Sequence, residues 1–291
     1  MLRKLSLYLA PAIDFWRRIK YPVGYGLFAI TITYGLWHAP SELWQLDLSW
    51  LLLSLAIIVF MFLLQQWQVM LFLRAHALDP GWLYPALFNA RRGILNTVLP
   101  ARSGTLLLVH NLTTKYPVTW RDFFYFFFLA GSISIYVSGL ALVWLLWPWG
   151  YSAAMLLVSF IVAFYLARRA SFRYATSLPT LLFLAVALYL ATVTVLFALL
   201  RGLGYQLSFA EVSYFAIALN VLAQVSITPG NIGVREVLMG VIAPFVELPI
   251  AVGIIASSLL LILRLIIYGI FWVLLERLLN QTDRGDSSTT R

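Results

Sequence analysis

Long apolar runs alternate with short polar segments along most of the chain. A helix needs about 20 predominantly apolar residues to cross the hydrocarbon core of a membrane. Runs that meet or approach this length cover residues 22–37, 48–73, 123–147, 151–167, 178–200 and 250–275. The pattern therefore predicts six spanning helices.

Two further apolar regions, residues 82–112 and 209–244, are interrupted by polar residues, proline and glycine. The first break reads LPARSG and the second reads TPGNIG, so that Pro100–Gly104 and Pro229–Gly233 share the spacing Pro-x-x-x-Gly. Backbone at membrane depth must find hydrogen-bond partners within the protein or line a polar cavity. Each interrupted region is therefore predicted to form a re-entrant helical hairpin.

Lysine and arginine set the expected orientation. If each hairpin enters and leaves on one side, 17 of the 20 basic residues fall on the side of the two termini, and only Arg201, Arg235 and Arg264 fall elsewhere. Because cytoplasmic loops carry an excess of lysine and arginine, both termini are predicted to be cytoplasmic. The first hairpin then opens from the cytoplasm and the second from outside. Interrupted segments in corresponding positions of two halves are typical of a transporter site built from an inverted repeat.

Composition narrows the class of protein. The 291 residues are 62% hydrophobic and only 11% charged, which excludes a soluble globular domain. The formal charge of +9 follows from the positive cytoplasmic face, so no nucleic-acid partner is expected. The absence of cysteine excludes disulfides, thiol catalysis and cysteine metal sites. The expected fold is an all-α polytopic membrane protein with about six spanning helices and two opposed re-entrant helical hairpins that form an inverted pair.

The chain is divided into three parts by its polarity. Residues 1–21 hold a short apolar run among basic residues and are predicted to be an interfacial segment. Residues 22–277 are predicted to be one transmembrane domain. Residues 278–291 are polar and are predicted to be a disordered tail.

The second break carries groups suited to an anion. Thr228 followed by Pro229 has the pattern of a helix N-cap with proline in the first helical position. The N–H groups at such a helix start attract anions, and Arg235 follows about two turns later. In the first break Arg102 follows Pro100 closely. The predicted phosphate-binding residues are Arg102, Ser103, Gly104, Thr228, Gly230, Asn231, Gly233 and Arg235. Arg91 and Arg92 are predicted to be structural or snorkelling instead.

Arg264 stands near the middle of the last apolar run. An arginine at the centre of a spanning helix costs roughly 2.5–3.5 kcal/mol on insertion scales, so it needs a partner or a polar cavity. Glu236 is the acidic residue within the hairpin, and an ion pair of Glu236 with Arg264 or Arg235 is expected. The pair has a structural role or, if transport is coupled to protons, Glu236 is the carrier. Three further side chains are predicted to line the hairpins: Asn96, Asn220 and Gln224. The glutamines of the second run, Gln65, Gln66 and Gln68, are assigned to hydrogen bonds between helices.

Catalytic motifs are missing from the sequence. The three histidines are scattered, and no HExxH, GxSxG, Walker loop or paired carboxylates occur. No catalytic residue, metal or cofactor is therefore predicted.

Three stretches resemble a known family. LNTVLPARSGTLLLV, ITPGNIGVREVLMG and ILRLIIYGIFWVLL are similar to motifs in the transmembrane, flippase-like part of lysylphosphatidylglycerol synthases. The resemblance covers about residues 48–277, with Asn231 at a position where many relatives carry glycine. The soluble aminoacyl-transferase domain of the full synthases has no counterpart. The resemblance therefore implies a flippase-like protein rather than a synthase.

The expected function is translocation of an anionic phospholipid, or of a polyprenyl-phosphate-linked lipid, between leaflets. The expected partner is a membrane lipid with a phosphate headgroup, and a homo-oligomer or an envelope-biosynthesis partner is left open. Two alternatives remain: a lipid-binding accessory subunit of a glycolipid or envelope biosynthesis enzyme, and an integral-membrane transferase.

Overall fold

The structure is a computed structural model that describes residues 22–39, 46–79, 81–98, 103–147, 165, 174–225 and 228–288. The described residues are helical apart from turns and short connections. The nine α-helices in these ranges are α1 (22–37), α2 (Leu48–Arg74), α3 (Leu83–Val98), α4 (Ser103–Lys115), α5 (Trp120–Leu146), α6 (Leu178–Gly202), α7 (Phe209–Gln224), α8 (Val234–Ile242) and α9 (Ile250–Ser288). Short 3-10 turns cover Ala175–Ser177, Pro229–Asn231 and Ala243–Val246.

Four helices are long and apolar enough to cross a membrane: Leu48–Arg74, Trp120–Leu146, Leu178–Gly202 and Ile250–Gln281. The prediction of an all-α membrane protein is confirmed by these helices. The two interrupted regions form shorter helices, since α3, α4, α7 and α8 have 16, 13, 16 and 9 residues. The predicted span over residues 151–167 lies outside the described residues, apart from residue 165.

Helix starts are marked by polar side chains that satisfy exposed backbone N–H groups. Asp47 accepts from Ser49 N–H (2.9 Å) at the start of α2, and Thr119 accepts from Asp122 N–H (3.1 Å) at the start of α5. Ser208 caps α7 together with Glu211, and the hydrogen bonds from Ser208 lower the pKa of the Glu211 carboxyl. These caps lie in connections between apolar runs, where the sequence becomes polar.

Two groups of contacts mark the two ends of the helix bundle. At one end, Asp47 N–H donates to the carbonyl oxygen of Gly202 (3.1 Å), which joins the start of α2 to the end of α6. At the other end, His76 Nε2 lies 3.8 Å from Asp122 Oδ2 and 3.4 Å from the hydroxyl of Tyr174. Helix α2 therefore runs from the Asp47 end to the His76 end, and α5 and α6 both start at the His76 end.

The core lies between α2, α6, α7 and α9. Ile58, Leu196, Phe215 and Val252 are completely or almost completely buried there. A second cluster around Phe72, Phe123 and Phe126 packs α2, α4, α5 and α6 together near the His76 end. Large apolar side chains also face outward, as at Ile30 (68% exposed) and Phe128 (77% exposed). Such a surface is stable against lipid tails and agrees with a membrane protein.

The last helix extends further than the sequence predicts. The polarity of residues 278–291 predicts a disordered tail, whereas α9 continues without a break to Ser288. Helical geometry is retained beyond the apolar part because an existing helix adds residues at little cost once it is nucleated. The predicted boundary after residue 277 is therefore not the end of a secondary-structure element.

The orientation predicted from the basic residues can be tested with single cysteines, because the chain contains none. Gln206 and Pro117 are exposed in connections at opposite ends of the bundle. We expect Gln206→Cys to react with an impermeant maleimide in intact cells and Pro117→Cys to react only after lysis, since the basic loops stay cytoplasmic. The reverse labelling pattern would show that the orientation is inverted.

Candidate functional site

The second break is a sharp change of chain direction between α7 and α8. Residues Pro229–Asn231 form one 3-10 turn, and Gly230, Asn231 and Gly233 all have positive φ angles of 56°, 55° and 82°. The Asn231 side chain donates from Nδ2 to the carbonyl oxygens of Leu222 and Val225, each at 2.8 Å. These bonds add a partner to two carbonyl groups at the end of α7, where the helix itself no longer supplies i+4 donors. Asn231 therefore stabilises the break, a role that its position in the sequence does not reveal.

The backbone N–H groups of this break are largely used within the protein. The N–H groups of Asn231 and Ile232 donate to the carbonyl oxygens of Thr228 and Pro229 at 3.0 and 2.9 Å. Thr228 occupies the N-cap position of the 3-10 turn, but its hydroxyl donates to the carbonyl oxygen of Ile232 (2.8 Å) and caps no N–H group. The expected anion seat of free N–H groups behind Thr228 is therefore not formed in this conformation.

Glu236 is completely buried and organises the start of α8. Its Oε2 accepts from Gly233 N–H (2.7 Å), and its Oε1 accepts from the hydroxyl of Ser257 on α9 (3.2 Å). No ion pair within 4 Å joins Glu236 to Arg235 or Arg264 among the described residues. The expected ion pair is thus replaced by neutral donors. Side chains at adjacent helix positions do not face each other, which explains why Arg235 does not meet Glu236.

The first break brings α3 and α4 together through one side chain. Asn96 donates from Nδ2 to Thr105 Oγ1 and accepts at Oδ1 from Thr105 N–H, both at 2.9 Å. A Cβ atom on Gly104 would lie 2.5 Å from the carbonyl oxygen of Arg92, so glycine permits the close approach that the sequence predicts. Ser103 is the first residue of α4. Pro100 and Arg102 lie outside the described residues.

The second break lies against the C-terminal end of α3, which leads into the first break, and we call this contact the junction of the two breaks. A Cβ atom on Gly230 would lie 2.8 Å from both Cα and the carbonyl oxygen of Thr97, next to the end of α3. Helix α1 contacts both sides of this junction, because the Tyr25 hydroxyl donates to the carbonyl oxygen of Val98 at the end of α3 (3.0 Å) and Gly24 packs on Thr228. Segments more than 100 residues apart in sequence are therefore joined at one place in the fold.

A cavity of about 420 Å³ opens at this junction. Its volume falls in the range of roughly 300–1,000 Å³ that is usual for small-molecule sites. Residues of both interrupted regions line it: Asn96, Thr97, Thr105, Asn220, Gln224, Gly230, Asn231 and Arg235. Helices α2, α5, α6 and α9 complete the wall, in part with Gln65, Gln68, Ser134, Thr192, Arg264 and Tyr268. A polar cavity within a bundle of apolar helices is a binding-site candidate by its chemistry alone.

The charges that line the cavity are all positive. Arg92, Arg235 and Arg264 contribute to its wall, and no aspartate or glutamate among the described residues does. Arg235 donates from Nη2 to the carbonyl oxygen of Ser257 (2.9 Å) and lies within electrostatic range of both the buried Glu236 carboxylate, which does not line the cavity, and Arg264. The Arg264 guanidinium makes no hydrogen bond or ion pair with another described residue. Such an arrangement attracts an anion and repels a cation.

Two neighbouring arginines of α3 have different environments. Arg91 donates from Nη2 to Glu276 Oε1 (2.6 Å) and lies over the Trp272 ring, which agrees with its predicted structural role. Arg92 lies over the Phe127 ring and also lines the cavity. The sequence interpretation therefore missed Arg92, together with Gln65, Gln68 and Tyr268. Only the rotation of each helix about its axis distinguishes these residues from their neighbours.

The buried Glu236 carboxylate provides a stability test. We expect Glu236→Gln to lower stability by about 1–3 kcal/mol, because a buried acceptor of two hydrogen bonds is changed into a poorer one. The matched control is Glu276→Gln, which removes the partly exposed pair with Arg91 and should cost only about 0–1 kcal/mol. Thermal unfolding in detergent compares the two variants. Equal losses of stability in the two variants would contradict the structural role of Glu236.

Compared with known protein families, curated proteins and solved structures, the chain shows no significant match.

Proposed function

We propose that the chain moves an anionic lipid, a phospholipid or a polyprenyl-phosphate-linked lipid, between the leaflets of a bacterial inner membrane. In this proposal six spanning helices surround two opposed re-entrant hairpins that form an inverted pair, and both termini are cytoplasmic. The observation that carries the proposal is the cavity at the junction of the two breaks, whose charged lining residues are Arg92, Arg235 and Arg264. The resemblance to flippase-like proteins agrees with it.

The depth of the cavity supports a path for a headgroup. Arg264 is the fifteenth residue of α9, whose apolar segment Ile250–Gln281 has 32 residues. Its guanidinium therefore lies near the middle of a spanning helix, where an uncompensated charge is costly. A lipid phosphate would offset this cost while its acyl chains stay in the bilayer. Headgroup passage at this depth is what translocation requires.

The proposal is tested in proteoliposomes that contain acyl-labelled phosphatidylglycerol. A membrane-impermeant reductant bleaches the outer leaflet, so the fraction bleached reports whether the label changes leaflet. In protein-free vesicles about half of the label is bleached, and we expect a larger bleached fraction when the protein is present. Lipid that binds without changing leaflet would instead identify an accessory subunit, and a change in lipid mass would identify a transferase.

A further inference from the structure

The cavity carries a neutral polar surface besides its arginines. We name the side chains of Gln65, Gln68, Ser134 and Gln224 the amide wall, since three of the four are amides and they come from α2, α5 and α7. From this wall we infer that the headgroup carries an uncharged polyol, such as inositol or a sugar, on its phosphate. The inference rests on the proposed function and specifies the class of lipid.

The amide wall has hydrogen-bonding capacity that no described residue uses. Gln65 accepts at Oε1 from the Tyr268 hydroxyl (2.7 Å), which leaves its Nε2 amide available. Gln68, Ser134 and Gln224 make no side-chain hydrogen bond to another described residue. Polar groups at this depth require partners, so a ligand or water must supply them.

The chemistry of amides distinguishes between the groups that could fill the cavity. A phosphate only accepts hydrogen bonds, so it satisfies guanidinium groups but leaves the amide oxygens of Gln68 and Gln224 without a donor. A hydroxyl group both donates and accepts, as an amide does. A polyol attached to the phosphate therefore matches the amide wall, and the phosphate matches the arginines.

An ammonium group would also donate hydrogen bonds, but the charges of the cavity disfavour it. No aspartate or glutamate of the described chain lines the cavity to balance an ammonium. Arg235 and Arg264 would repel it at short range, where the surroundings screen charge poorly. Zwitterionic ethanolamine lipids and cationic aminoacylated lipids are thus poor substrates on this geometry.

The test compares lipids that share acyl chains and a phosphodiester but differ in headgroup. Acyl-labelled phosphatidylinositol, phosphatidylethanol and phosphatidylethanolamine are reconstituted separately with the full-length protein. We expect phosphatidylinositol to change leaflet roughly 2- to 10-fold faster than phosphatidylethanol, which is what one or two neutral hydrogen bonds supply. Phosphatidylethanolamine should be the slowest. Equal rates for phosphatidylinositol and phosphatidylethanol would overturn the polyol inference and leave anionic-lipid translocation intact.

Single substitutions test whether the amide wall causes the preference for phosphatidylinositol. Gln68→Leu should lower the ratio of the phosphatidylinositol rate to the phosphatidylethanol rate to about one. The matched control is Gln66→Leu, because Gln66 is adjacent, fully buried and does not line the cavity. Ser134→Ala repeats the test with a smaller change if Gln68→Leu does not fold. An equal loss of rate for both lipids would show that the amide wall does not distinguish between their headgroups.

A water-soluble compound with the same headgroup tests whether the transported molecule is a lipid or a free solute. Inositol 1-phosphate added to the same vesicles should not be taken up. Uptake of the soluble phosphate without movement of any lipid would overturn the lipid part. If neither lipid nor solute moves, the proposed function fails and this inference fails with it.

Discussion

Arg235→Ala is expected to lower the rate of anionic-lipid translocation by roughly 10- to 100-fold, the loss that follows from one charged hydrogen bond of about 1.5–3 kcal/mol. The side chain lines the cavity, and its Nη2 holds it to the carbonyl oxygen of Ser257 on α9. Substitution by alanine removes both the positive charge and the N–H donors of the guanidinium group. Translocation is measured in proteoliposomes, with thermal unfolding recorded on the same preparations.

Two matched variants separate charge from fold in this experiment. Arg235→Lys should recover only part of the rate, because an ammonium cannot bind phosphate through two parallel hydrogen bonds. Arg91→Ala removes an arginine that binds Glu276 and does not line the cavity, so its rate should stay near that of the parent. A folded Arg235→Ala protein with the parental rate would refute the phosphate-binding role of this residue.

Gly230→Ala is expected to destabilise the protein by roughly 2–5 kcal/mol, the largest stability change proposed for a single methyl group in this fold. The added Cβ would lie 2.8 Å from the backbone of Thr97, and the backbone at Gly230 has a φ angle of +56°. The steric overlap and the unfavourable backbone conformation therefore both lower the free energy of unfolding. The measurement is the midpoint of thermal unfolding in detergent, together with the yield of monodisperse protein.

Two other glycines separate these contributions. Gly204 has a φ angle of +88° and open space around its Cβ position, so Gly204→Ala should show only the conformational cost of roughly 1–2 kcal/mol. Gly139 lies in α5 with open space and no positive φ, so Gly139→Ala should be neutral or slightly stabilising. The close contact of the two breaks is refuted if Gly230→Ala costs no more than Gly204→Ala.

The sequence predicts the elements of this fold better than the contacts of its side chains. The long helices and the break at Pro229 follow from apolar length and from proline and glycine, which act locally. Which of Arg91 and Arg92 faces the cavity depends on the rotation of α3, because neighbouring helix positions point about 100° apart. That rotation is set by packing of the whole bundle, and a local pattern does not contain it.

The sequence around Glu236 predicts two different contacts for its carboxylate, an ion pair and a helix-capping hydrogen bond. A buried acid near two arginines predicts an ion pair, but a glutamate at the third position of a helix also predicts a capping bond to the N-cap N–H. The structure shows the capping bond from Gly233. Local backbone geometry determined the outcome here, and the Ser257 contact with α9 required the tertiary fold.

The contacts of α1 have a consequence for biosynthesis. Tyr25 binds the carbonyl oxygen of Val98, whereas Gly24 packs on Thr228, about 200 residues later in the chain. At roughly 5–20 residues per second, the ribosome needs on the order of 10–40 s to synthesise the intervening chain. During that interval the face of α1 that carries Gly24 is without its final neighbour. Helix α1 thus completes its packing late, and the junction of the two breaks closes only after Thr228 in the C-terminal third of the chain has been synthesised.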